Sequence, residues 1–191
     1  ANRPEVPETL RLATLSLALP NPKDWRNKAP RQTPLAERFA GRGYEYIQFR
    51  DDSLVEVLLG KIRSFLEACK KAESLPHFLL LNELSLSFAN RSTILDRLAE
   101  MCFDFSLYLV PGTYHDPEEC FGIAPILSPH SSLSASVAKQ NSAWRQQEAI
   151  RTPDSRTVQI CKTDYGNVVT WICLDMYDPS LVFKLLSLTD R

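Results

Sequence analysis

Gly166-Asn-Val-Val-Thr-Trp-Ile-Cys173-Leu-Asp175 begins with a glycine suited to a turn and continues through an apolar, β-branched run. Val168 to Ile172 reads as a buried strand that ends on Cys173. Asp178-Pro179 then has the chemistry of a helix start, with Asp as N-cap and Pro at the first helical position. Leu181, Val182, Leu185 and Leu186 follow at helical spacing. Cys173 is therefore expected where a strand turns into a helix, a joint that can present a nucleophile above the carboxyl end of a sheet. A helix N-terminus favours negative charge, which would help a thiolate form. A lone cysteine at a strand end is most often a small buried hydrophobe, so the catalytic reading depends on what the rest of the chain supplies.

A chain of 191 residues fits one domain with a substantial core. Its net charge of −1, from 22 basic and 23 acidic residues, gives no global basic field for nucleic acid. No apolar run reaches the length of a membrane span, and the polar, proline-containing start from Ala1 to Glu8 does not read as a signal peptide. The cysteines are Cys69, Cys102, Cys120, Cys161 and Cys173: an odd number, with no Cys-x-x-Cys pair. That pattern favours reduced thiols in a cytoplasmic setting over a disulfide framework or a zinc site. His77, His115 and His130 are isolated, so loop or half-buried roles are expected of them rather than metal binding.

Leu10 to Leu19 alternates as a first strand closed by Pro20, and Asn21 to Phe39 is polar and proline-rich, a loop or insertion. Tyr44 to Phe49 suits a short edge strand. Leu54 to Ala72 is an amphipathic helix with Leu54, Val57, Leu58, Ile62, Phe65, Leu66 and Cys69 on one face and Ser53 as N-cap. Pro76 to Leu81 is a short buried strand, followed by Glu83. Ser92 to Met101 is a second helix with Ile94, Leu95, Leu98 and Met101 inward. Phe105 to Val110 and Phe121 to Leu127 read as strands, with a Pro111-Gly112 turn between them. Serine-rich Ser128 to Ala138 is expected to be loop, with Lys139 just past it. Val158 to Lys162 and Val168 to Ile172 form a hairpin-like pair around Asp164-Tyr-Gly166. Short buried strands alternating with helices argue a layered α/β sheet.

Three ionisable side chains fall at element ends: Glu83 after a strand, Lys139 after a loop and Cys173 at the last strand. A carboxylate, an ammonium and a thiol converging at one sheet edge form a coherent set for thiol-based acyl transfer. The carboxylate takes the thiol proton, the sulfur attacks, and the ammonium stabilises the oxyanion. Trp144 and Tyr165 could line a pocket but are more often rim or core aromatics. Cys161, inside a strand, reads as structural.

These pieces resemble the nitrilase, or carbon–nitrogen hydrolase, superfamily. The resemblance is carried by Phe78-Leu-Leu-Leu-Asn-Glu83, by Val137-Ala-Lys139-Gln-Asn, by the Gly166 to Asp175 stretch and by Val110-Pro-Gly-Thr113, in family order from about Leu10 to the chain end. Asn82 stands where the family commonly has proline, and Leu174 where it often has an aromatic residue. The segment 21–52 is longer than the family's first βα connection and reads as an insertion in a single domain spanning 1–191.

The resemblance implies an α-β-β-α sandwich, incomplete at the C-terminus in a piece of a longer chain. It implies a Glu83-Lys139-Cys173 triad and a supporting Glu148. It also implies hydrolysis of non-peptide C–N bonds in a small-molecule amide or nitrile through a thioacyl intermediate, with no metal or organic cofactor. Partners would be further copies of the chain or the remainder of a larger polypeptide, with no membrane, and nucleic acid only through a fused domain. An alternative is an assembly or ligand-sensing module of a larger protein, such as a prokaryotic antiviral defence protein fused to a reverse transcriptase. Tyr114 to Cys120 corresponds to a variable, substrate-facing loop.

Overall fold

The computed structural model describes residues 8–17, 22–27, 43–47 and 52–189, the side chains of 52, 53, 132–134, 144 and 189 excepted. In chain order these form β1 (Leu12–Leu15), β2 (Trp25–Asn27), β3 (Tyr44–Tyr46), helix α1 (Asp52–Lys71), β4 (Phe78–Leu81) and helix α2 (Arg91–Phe105). There follow β5 (Tyr108–Val110), β6 (Tyr114–His115), β7 (Gly122–Ser128), β8 (Ser131–Ala138), β9 (Ile160–Thr163), β10 (Gly166–Val169) and helix α3 (Pro179–Thr189). Strands β1, β4 and β5 run parallel, and β7 joins β5 antiparallel and carries β6 and β8. The pairs β2–β3 and β9–β10 are separate antiparallel ribbons.

The fold is thus a mixed α/β sheet with unlike faces. On one face α1 and α2 bury Val55, Leu58, Leu59, Ile62, Leu66, Ile94, Leu98 and Met101 against Leu79, Leu81, Leu109 and Leu127. The other face has a smaller cluster in which Val110, Ala124, Ile126, Ala135 and Val137 meet Cys161 and Ile172. The β9–β10 ribbon docks there by its turn: the Asp164 N–H donates to the Tyr108 hydroxyl at 3.1 Å, and the Tyr165 ring stacks on His77 with centroids 4.5 Å apart.

Several elements differ from the sequence expectations. Ser131–Ala138 is a strand, not a loop, hairpinned to β7 through Pro129-His130. Its small residues alternate, with Ala135 and Val137 buried and Ser136 exposed, so period two holds in a segment of weak β-propensity. Phe105 ends α2 rather than starting a strand, because Ser106 takes a left-handed C-cap with φ 52°. The inward face of α1 is rotated, with Val55 and Leu59 buried and Leu54 and Val57 exposed. Strand β1 is shorter than the run from Leu10, and Leu10 and Leu12 are exposed. In α3, Leu181 is buried but Leu186 is exposed. The side chains of Ser53 and Trp144, and residues 1–7, 18–21, 28–42 and 48–51 with the strand end at Leu19, most of the expected insertion and Phe49, lie outside the described residues.

Candidate active site

Glu83 sits two residues past the end of β4 in a turn that neighbouring backbone shapes. The Leu84 N–H donates to Thr113 Oγ1 at 2.8 Å, the Leu86 N–H to the Thr113 carbonyl at 3.1 Å, and the Ser85 hydroxyl to the Asn82 carbonyl at 2.6 Å. Gly112, at φ 84°, lies so close that a Cβ there would run into the Asn82 carbonyl, so the β5 loop can press on the glutamate turn only as glycine.

Lys139 follows β8 directly and is almost wholly buried. Its Nζ donates to Glu83 Oε1 at 2.8 Å and to Glu148 Oε1 and Oε2 at 3.0 and 2.9 Å. Burial alone would lower the lysine pKa, but the charges of Glu148 and Glu83 outweigh it and the net direction is up. Glu148 is also buried. It takes a further bond from the Ala143 N–H at 2.9 Å and lies 3.1 Å from His115 Nε2. Burial pushes its pKa up, yet the His115 bond and the Lys139 charge prevail and hold it down at about 2. The ammonium therefore stands between two carboxylates, with Glu148 sealed behind it and Glu83 partly open in front.

Cys173 does not end a strand. Strand β10 stops at Val169, and Cys173 opens a 3₁₀ turn, Cys173–Tyr177, with φ 51°. That left-handed backbone is rare for a residue with a side chain. Six described non-glycine residues have positive φ, and three bound this site: Leu84 beside Glu83, Gln147 beside Glu148, and Cys173 itself. Clustering of such conformations is a mark of functional sites.

The carboxylate of Asp175, fully buried, accepts the N–H groups of Gln140 at 3.0 Å, Asn141 at 2.7 Å and Ile172 at 3.4 Å, and so ties the lysine segment to the cysteine turn. Arg156 reinforces the tie through the Gln140 carbonyl and Asn141 Oδ1. Asp178 caps α3 as expected, accepting the Ser180 N–H at 2.9 Å.

Glu83, Lys139, Glu148 and Cys173 line one cavity of about 500 Å³, walled by Trp25, Tyr44, Leu84 and Gln146. Cys173 is exposed to it. Burial raises the thiol pKa, Glu83 adds to the rise, and Lys139 and the Leu174 N–H only partly oppose them. The net direction contradicts the sequence expectation of a lowered pKa. Among the described residues no group of three or more His, Cys, Asp or Glu could hold a metal ion, and no helix is long and apolar enough to cross a membrane.

No family model matches the sequence, and no curated protein matches it. Solved structures do. Nit3 of Saccharomyces cerevisiae, a member of branch 10 of the nitrilase superfamily, superposes with a TM-score of 0.52 at 20% identity over 66% of this chain and 53% of its own. An amidase from Nesterenkonia sp. superposes at 0.54, with 14% identity over 91% of this chain and 59% of the amidase. A cysteine-to-serine variant of the Nesterenkonia AN1 amidase, from the nitrilase superfamily, reaches 0.56 at 14% identity, over 93% and 61%. The chain has the nitrilase fold. It spans between about half and three fifths of the length of these structures.

Within the nitrilase fold, Lys139 is in direct hydrogen-bond contact with Glu83, both expected at element ends, and with Glu148, expected from the resemblance, and Cys173 lines the same cavity. Sequence reading missed His115, Asp175, Trp25 and Tyr44. Asp175 had a usable signal, a carboxylate two residues past the cysteine within the stretch that carries the resemblance. His115 had none: it is one histidine in a loop-like segment, and only the fold brings it to Glu148. Tyr165 packs on the sheet and is not a lining residue of this cavity. Cys161 is buried.

Proposed function

We propose that the chain carries the reactive centre of a carbon–nitrogen hydrolase acting on small amides. The observation that carries this reading is the Lys139 ammonium held between Glu83 and Glu148 on the wall of the cavity that Cys173 lines. In this reading Glu83, the more open of the two carboxylates, takes the thiol proton as sulfur bonds to the amide carbon. Lys139 faces the oxygen that becomes negative. Glu83 returns its proton to the nitrogen, the C–N bond breaks, and an amine or ammonia leaves a thioacyl enzyme. A water then loses a proton to Glu83 and attacks the thioester, releasing the acid and restoring the thiol. Trp25, Tyr44 and Leu84 give the cavity a flat apolar wall, and its lone described lysine is already paired with two carboxylates. That lining favours a planar, uncharged acyl group over one bearing its own carboxylate. A structurally similar protein supports thiol reactivity in this fold: a glutamate-to-glutamine variant of the Nesterenkonia AN1 amidase shows Michael addition of acrylamide at its active-site cysteine.

The test incubates the full-length protein with aromatic and aliphatic amides, follows ammonia release, and seeks an acyl adduct on the Cys173 peptide by mass spectrometry. Aromatic amides should turn over fastest, with Trp25→Ala raising their KM about tenfold. No release and no adduct with any amide would sink the reading.

A further inference from the structure

We propose that His115 is a positioning residue that clamps the Glu148 carboxylate against Lys139, and so fixes the ammonium that the hydrolase reading places at the oxyanion. Its effect on rate rests on that reading; the clamp itself does not.

His115 lies on β6, on the far side of Glu148 from the cavity, and is buried. Its Nδ1 accepts the Tyr46 N–H at 2.9 Å. A ring nitrogen that accepts cannot carry the hydrogen, so in the neutral ring the hydrogen is on Nε2, which faces Glu148 Oε1 at 3.1 Å. The backbone of β3 therefore selects the tautomer that donates to the carboxylate. The ring is also fixed by its neighbours: Trp25 and Tyr46 pack edge-on to it, with centroids 6.1 and 6.4 Å away. Strand β3 is in turn tied to the Glu148 segment, with the Tyr44 N–H donating to the Gln147 carbonyl at 2.8 Å and the Ala149 N–H to the Tyr44 carbonyl at 2.6 Å. The result is a continuous chain, Tyr46 N–H to His115 to Glu148 to Lys139 to Glu83, running from the buried backbone of β3 to the open carboxylate.

The geometry has a purpose that packing alone does not explain. Glu148 has four donor contacts: two from Lys139, one from Ala143 N–H and one from His115. Without His115, Oε1 keeps Lys139 alone, and the carboxylate can rotate away from the Nζ. Charged and titratable groups facing Glu148 are His115 from β6 and Lys139 from the end of β8, with Glu83 beyond the lysine, Tyr46 beyond the histidine, and Cys173 across the cavity. Of these, His115 and Lys139 hold it ionised.

The experiment titrates Glu148 by NMR in protein carrying ¹³C-carboxyl glutamate, its signal assigned with Glu148→Gln. In the wild type the carboxylate should stay ionised through the whole folded range. In His115→Phe, which keeps a flat ring without a donor, its midpoint should rise by more than about one pH unit, a tenfold change in acid constant. His115→Gln, whose amide reaches the carboxylate, should recover most of the difference. In parallel, kcat for an amide substrate should fall about tenfold in His115→Phe with KM within twofold. A folded His115→Phe protein with Glu148 ionisation and kcat unchanged would overturn the proposal. Should that variant not fold, His115→Gln and His115→Asn carry the test, since the shorter amide stops short of Glu148; equal behaviour of the two would overturn it. If the wild type hydrolyses no amide, the hydrolase reading fails on that result, while the NMR titration still decides the clamp.

Discussion

The two sides of the cavity are built to opposite specifications. On one, Lys139, Glu148 and His115 are buried, and the lysine and Glu148 are satisfied several times over. On the other, Cys173 is exposed on a left-handed backbone with a thiol pushed towards its protonated form. The contrast teaches where each cost falls. A buried charge has to be paired at all times, so its side is rigid and contributes to folding. The Cys173 side is exposed and contributes little.

Changes on either side should separate activity from stability. Cys173→Ala should abolish turnover while shifting the urea midpoint negligibly, since exposed side chains change stability by about 0.5 kcal/mol or less; activity assays with denaturation curves check both halves. Lys139→Met should instead affect both, removing activity and also costing about 3–5 kcal/mol in chemical denaturation, because it strands a buried carboxylate.

Acid should find the rigid side next. Glu148 is held at about 2 against an ordinary value of 4.5. A depressed carboxylate stabilises the fold fully above its unfolded value and loses that contribution as pH falls through its folded value. Stability should therefore decline from about pH 4.5 towards 2, on the order of 3 kcal/mol by the pKa difference, and Glu148→Gln should flatten that part of the curve.

The smallest effect sharpens the open side. Brief alkylation should label Cys173 ahead of Cys102, whose thiol burial pushes up to about 12, and ahead of buried Cys120 and Cys161. Because the Cys173 thiol is itself raised, its labelling rate should climb with pH instead of levelling at neutrality. Glu83→Gln should speed it and Lys139→Ala slow it, each by a few-fold, as peptide mass mapping would show.

How much of this was legible beforehand follows from the kind of signal each element carries. Helix α1, the strand before Glu83 and the Asp178-Pro179 start of α3 have strong local chemistry, and all three are present. Strand β8 was not, because serines mask an alternation that only its β7 partner reveals. The end of the strand before Cys173 was misplaced by three residues, since Thr170-Trp171-Ile172 has β-propensity but no pairing partner at that point among the described residues. The contact between Glu83 and Lys139 could be anticipated from element ends, and that with Glu148 only from the family resemblance. His115 meets Glu148 across β6, and Tyr44 of the aromatic wall pairs with Glu148 from β3, contacts between segments far apart in sequence.

The left-handed backbone at Cys173 carries a consequence for how such a sequence drifts. Glycine would occupy φ 51° without the steric penalty that a side chain incurs there. Pressure for a sturdier fold, acting alone, would therefore erode the thiol, and any lineage that stops using it has a downhill route to losing it. A cysteine at this position carries a small but permanent handicap in folding.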